Sequence, residues 1–133
     1  MEKKFLSEST AKRIVFDIKD VNNNLSSKDN IYYQHSDEDL LKGYALIIGP
    51  DDTPYAYGFF LFKFEFPYDY PHSPPKVTYC TNDGIIRFHP NLYINGKVCL
   101  SILNTWKVEQ WSGSITLRTI LLTLSSILQK DSL

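Results

Sequence analysis

The stretch "FFLFKFEF", residues 59–66, places Phe60, Phe62, Phe64 and Phe66 on one side of an extended chain and Phe59, Leu61, Lys63 and Glu65 on the other. A period of two with large apolar groups on a single side is the pattern of a strand with one face in a core. The strand runs straight into "PYDYPHSPP", whose prolines at 67, 71, 74 and 75 lack the N–H that a helix or an interior ladder requires. Pairing can therefore resume only at "KVTY", residues 76–79. Upstream, "NIYYQ" and "GYALIIGP" are β-branched and aromatic and close on Asp29-Asn30 and Gly49-Pro50, so they read as two further strands, with "DDTPYAYG" as the loop before Phe59. The spacings fit four consecutive antiparallel strands.

Both ends of the chain have a helical period. Ile14, Ile18, Val21 and Leu25 form an apolar stripe, with Ser7, Ser9 and Thr10 as available caps and Asn22–Asn24 as a stop signal. The opposite side carries Lys12, Arg13 and Lys19, a solvated face on general grounds. A second stripe comprises Leu117, Ile120, Leu121, Leu124 and Leu128, capped by Ser114 or Thr116, and is expected to pack on the inner face of the sheet. Helix, sheet, long loop, helix is an α+β arrangement, and 133 residues suit one domain over 1–133.

Composition excludes several classes of function. With 43% hydrophobic and 14% aromatic residues the chain is built for a packed core, not for disorder. A formal charge of −1, with no basic stripe, argues against nucleic acid as a partner. "MEKKFLSESTAK" breaks into charges and hydroxyls before any apolar run forms, and no window approaches the ~20 apolar residues of a membrane span. A soluble cytoplasmic or nuclear protein, not bound to a membrane, is expected, with Cys80 and Cys99 as thiols instead of a disulfide.

Between Thr81 and Gln110 there is no period, only the turns "NDG", "HPN" and "NG", and loops of such length are more often functional than not. Cys99 lies within it. A nucleophilic cysteine needs access and a neighbour that lowers its pKa or stabilises the oxyanion formed on attack. Asn91 supplies an amide, which donates a hydrogen bond without taking a proton, and Lys97 is the nearby cation. That combination suits acyl transfer between thiols. Equally open from composition is a Cys99 packed as a small apolar residue in "VCLSIL", since cysteine is among the most buried residue types. His89, before Pro90, reads as a turn residue bonded to backbone. A thiol hydrolase built on Cys99, His89 and Asn91 matches in residue type only.

Taken together, "GPDDTPYAYGFFLFKFEFPYDYPHSPPKVTY", "HPNLYINGKVCLSIL" and "WSGSITLRTILLTLSSIL" resemble the ubiquitin-conjugating enzymes over about Lys12 to Leu128. The resemblance implies a four-stranded meander packed against helices, with the cysteine in a shallow groove on an extended loop. It implies that Cys99 takes ubiquitin, or a ubiquitin-like protein, as a thioester from an activating enzyme and passes it to a protein substrate's lysine or to a ligase cysteine. Asn91 would stabilise the oxyanion or brace the loop, and His89 and Pro90 would be structural. The N-terminal helix, with Lys12 and Arg13, would meet the activating enzyme. RING or HECT ligases would dock there and on loops around Pro71, His72 and Ser73 and around Trp111, Ser112 and Gly113. No metal or small-molecule cofactor is implied, ATP being consumed by the activating enzyme. A non-catalytic binding or scaffolding module on the same fold is the alternative.

Several positions depart from the common pattern. Ser101 stands where many members have an acidic residue, His72 replaces an aromatic and Gly113 a proline. The loop "NTWKVEQW" is longer than usual and resembles the Cys-Leu-Ser-Ile-Leu, Thr-Trp form of a large atypical branch, with Glu109 as a candidate for the missing carboxylate. The chain ends at Leu133, short of the last two helices of many members, so a C-terminally short domain is expected.

Overall fold

A computed structural model describes residues 5–49, 58–81, 95–105 and 110–129. The elements in chain order are α1 (Glu8–Asn24), a 3-10 turn (Ser27–Asp29), β1 (Ile31–His35), β2 (Lys42–Ile48), β3 (Phe59–Glu65), β4 (Lys76–Tyr79), a second 3-10 turn (Ser101–Leu103) and α2 (Leu117–Gln129). The strands form one sheet in the order β1-β2-β3-β4, each pair antiparallel. The α+β meander expected from the sequence is the one observed. Among the described residues no helix is long and apolar enough to cross a membrane.

Local chemistry sets the boundaries. Ser7 is the N-cap of α1, its Oγ accepting from the Thr10 N–H at 3.1 Å. The asparagines at 22–24 lie inside the last helical turn instead of ending it, and the helix closes at Leu25. Thr116, not Ser114, caps α2, since its Oγ1 accepts from the Thr119 N–H at 3.4 Å.

The alternation of β3 settles the sheet's orientation: Phe60, Phe62, Phe64 and Phe66 are all buried, while Phe59 is exposed. They share one core with Ala45 and Ile47 of β2, Val77 and Tyr79 of β4, Ile14 and Val21 of α1, and the whole predicted stripe of α2. Burying each such phenylalanine contributes roughly 1.5–3 kcal/mol, so the sheet and both helices depend on this face. Arg118 Nε reaches Asp20 Oδ2 at 3.1 Å and ties α2 to α1.

Gly43, in β2, sits under the ring of Tyr33. The Leu40 carbonyl can only accept, so in the neutral ring His35 donates to it from Nε2, at 2.7 Å, and Nδ1 accepts from the Tyr33 hydroxyl at 2.7 Å. A Cβ on Gly43 would stand 2.0 Å from Tyr33 Oη and 3.0 Å from His35 Nδ1. Gly43→Ala must therefore displace the Tyr33 ring, and a loss of about 2–4 kcal/mol is expected from overpacking plus the broken hydrogen bond. In urea unfolding, Gly43→Ala combined with Tyr33→Leu should lose clearly less than the sum of the two single losses. Additive losses would show that the ring is not the obstacle.

Candidate functional site

The Asn95-Gly96 turn brings the chain back to the sheet after the segment that follows β4. Gly96 has φ +92°, where a Cβ would press on the Tyr79 carbonyl at 3.1 Å, so this turn requires glycine. Its carbonyl accepts from the Tyr79 N–H at 2.7 Å, and Lys97 forms an antiparallel bridge with Thr78. The chain then tucks Val98, Cys99 and Leu100 inward along the outer edge of β4, all three buried, and turns through Ser101–Leu103. Beside it lies a cleft of about 490 Å³, bordered by Pro75, Val77, Lys97, Val98 and Thr105 among others.

Cys99 is only 1% exposed, whereas Cys80 is exposed, and the two form no disulfide. Where the resemblance implies a shallow groove, Cys99 and its neighbours Val98 and Leu100 are buried. His89, Pro90 and Asn91 lie outside the described residues, as do Trp106 and Glu109.

The hydroxyls of Thr105 and of Ser101, the latter expected to be structural in this loop, organise the segment. Thr105 Oγ1 lies 2.7 Å from the Val98 carbonyl and 2.9 Å from the Leu100 N–H, the polar groups on either side of Cys99. Ser101 occupies the position of the missing acidic residue and closes a loop: its Oγ donates to Gln110 Oε1 at 2.8 Å, and its carbonyl accepts from the Gln110 N–H at 3.0 Å. Asn104, at φ 57°, adds a second link by accepting from the Trp111 N–H at 3.1 Å. The sequence announces the Asn-Gly turn and the unusual Ser101 but not the Thr105 bonds, because every partner of the Thr105 hydroxyl is a backbone atom.

The partner-contact residues divide into two groups. Lys12, His72 and Ser112 are exposed, and Lys12 pairs with Glu8 in solvent, at 3.1 Å. Arg13 departs from the solvated face expected of it. Its Nε reaches the fully buried Asp17 at 3.1 Å, its other two nitrogens donate to the carbonyls of Gly113 and Ile115, and its guanidinium lies 5.2 Å from the Tyr70 ring centroid. Asp17 also accepts from the Tyr70 hydroxyl, and Thr10 donates to the Tyr70 carbonyl. Trp111 donates from Nε1 to the Pro71 carbonyl at 3.0 Å. One network thus binds α1 to the Pro71 loop and the Trp111 loop together. The physical reason Arg13 turns inward is Asp17, a buried carboxylate one helical turn on that requires a charged partner.

Burial, followed by the hydrogen bond to Asp17 and the carboxylate's charge, raises the Tyr70 pKa well above the ordinary tyrosine range; burial, then the Asp17 charge, does the same for Tyr33. The folded state therefore keeps these protons at a pH where the unfolded chain loses them. Their contribution is complete below about pH 10 and is lost as pH rises beyond it. Denaturant unfolding should show Tyr70→Phe parallel to wild type at pH 9 and, above about pH 10, with a slope shallower than wild type that approaches a difference of about 1.4 kcal/mol per pH unit. Equal slopes would mean that Tyr70 ionises in the folded protein.

Comparison with known proteins meets this arrangement at each level. The family described as ubiquitin-conjugating enzyme matches residues 13–132. Ubiquitin-conjugating enzyme E2 Z of Xenopus tropicalis is 49% identical over 94 residues, 70% of this chain and 30% of that protein. The human dual E2 ubiquitin-conjugating enzyme/E3 ubiquitin-protein ligase BIRC6 is 51% identical over 94 residues, 66% of this chain and 2% of that protein. The chain therefore spans less than a third of the curated relatives named here. The structure of human ubiquitin-conjugating enzyme E2 G1 superposes with a TM-score of 0.78 at 34% identity, covering 93% of this chain and 98% of that one. The fold is accordingly shared with that structure, and the chain belongs to the ubiquitin-conjugating enzyme family.

Proposed function

We propose that this chain carries ubiquitin, or a ubiquitin-like protein, as a thioester on Cys99. The Cys99 thiolate attacks the carbonyl carbon of the modifier's C-terminal glycine, held as a thioester on the activating enzyme; a new C–S bond forms and the donor sulfur leaves as thiolate. In the second step a substrate lysine amine or a ligase thiolate attacks the same carbon. Cys99 leaves as thiolate, and an attacking amine sheds a proton.

The observation that carries this reading is the placement of Cys99 between a glycine turn locked to β4 and a 3-10 turn, with the peptide groups on both sides held by hydrogen bonds. The Leu100 N–H is taken up by Thr105 and is not available to an oxyanion, which supports a side-chain donor such as Asn91 in that role. Activating enzyme and ligase would meet the exposed Lys12, His72 and Ser112, while Arg13 and Trp111 hold that surface in shape from beneath. RING or HECT partners, a protein substrate and a reducing cytoplasmic or nuclear setting, in which the thiol stays reactive, complete the proposal.

The burial of Cys99 favours a second reading, a non-catalytic module that binds ubiquitin or a partner enzyme. Incubation with activating enzyme, ATP and ubiquitin, followed by a non-reducing gel, separates the two. An adduct of one ubiquitin that vanishes with reductant supports the thioester carrier, with the segment opening to expose the thiol. No charging by ubiquitin or any related modifier would establish the binding module.

A further inference from the structure

We infer that Thr105 is a positioning residue for Cys99, acting through the backbone; the inference rests on the thioester reading above. A hydroxyl has one hydrogen and two lone pairs. Here the hydrogen goes to the Val98 carbonyl at 2.7 Å, and a lone pair receives the Leu100 N–H at 2.9 Å. Those groups belong to the two peptide planes that meet at the Cys99 Cα. The angles of those planes are the φ and ψ of Cys99, so one side-chain oxygen restrains both and with them the direction of the Cα–Cβ bond from which the thiol hangs. The Thr105 N–H adds a bond to the Leu100 carbonyl at 3.2 Å, which holds the threonine itself in place.

The position is anchored from the far side as well. Thr105 follows Asn104, whose side chain holds Trp111, and Trp111 reaches Pro71. The residue that aims the thiol is therefore attached to the loops where partners would dock. A misplacement of the order of 1 Å in a reacting group can cost about 10²-fold in rate, so loss of this tether falls on charging.

The test compares Thr105→Val, which keeps the shape and removes the hydroxyl, with Thr105→Ser, which restores it. Thermal unfolding, single-turnover charging from loaded activating enzyme, and iodoacetamide alkylation of Cys99 in a Cys80→Ala background are measured for each. Thr105→Val is expected to fold and to charge about 10- to 100-fold more slowly at saturating activating enzyme, with no change in the concentration needed for saturation. Its Cys99 should alkylate faster, since the untethered segment opens. Thr105→Ser should return both rates close to wild type.

Wild-type charging by Thr105→Val, or a Thr105→Ser as slow as Thr105→Val, overturns the inference. So does collapse of the whole fold in Thr105→Val, which would make the hydroxyl a general fold determinant. Absence of charging in the wild type itself instead strikes the thioester reading. Alkylation then decides on Thr105 alone: faster reaction in Thr105→Val supports the tether, and an equal rate removes it.

Discussion

Cys99→Ala is expected to form no reductant-sensitive adduct with ubiquitin, and Cys80→Ala to form it at the wild-type level. The expectation rests on position, because exposure alone points to the other cysteine. Cys80 is exposed at the end of β4, while Cys99 is closed in beside the same strand. Alkylation makes the contrast measurable: iodoacetamide should modify wild type in a fast phase and a slow phase, with Cys80→Ala removing the fast one. Charging should then survive deletion of the fast thiol and fail on deletion of the slow one. An adduct retained by Cys99→Ala would place the thioester elsewhere and refute the assignment.

Asp17→Ala lowers stability by about 3–5 kcal/mol, because it leaves the Arg13 guanidinium and the Tyr70 hydroxyl in a buried setting without their shared acceptor. For a domain of this size that corresponds to a fall in Tm of roughly 10–20 °C. Asp17→Asn keeps an acceptor and loses the charge, so it should lie between alanine and wild type. Replacing all three together, Arg13→Met, Asp17→Leu and Tyr70→Phe, should recover much of the alanine loss, since apolar groups of similar size need no partners. If Asp17→Ala unfolds within 2 °C of wild type, a loss under about 1 kcal/mol, the network is not what holds α1 to its two loops.

The parts legible in the sequence are those whose signal is periodic and local. Phe60 to Phe66 alternate because the strand has one buried face, and Leu117 to Leu128 recur because the helix has one buried stripe; each pattern states its own environment. The proline run states where pairing stops. Arg13 shows the limit: its neighbours in sequence are those of a solvated helix face, whereas its partners at Gly113 and Ile115 lie a hundred residues on. Nothing at either end announces the other. Ser101 and Thr105 were hidden differently. Thr105 bonds to backbone at Val98 and Leu100, and any residue supplies a backbone, while the Ser101 hydroxyl meets the Gln110 side chain nine residues on across a loop with no period, so neither partner is announced by residue type. Of the predicted catalytic pair, the described residues include Cys99 and not Asn91.

The paired links Ser101–Gln110 and Asn104–Trp111 have a consequence for how such a protein can change. A loop whose two ends are joined at its base has closed before its tip is reached, and doubling the length of a flexible loop costs only about 0.6 kcal/mol. Insertions between 105 and 110 are therefore expected to cost the frame formed by these two links little. New partners can then be acquired beside the cysteine by insertion, without rebuilding the segment that holds it.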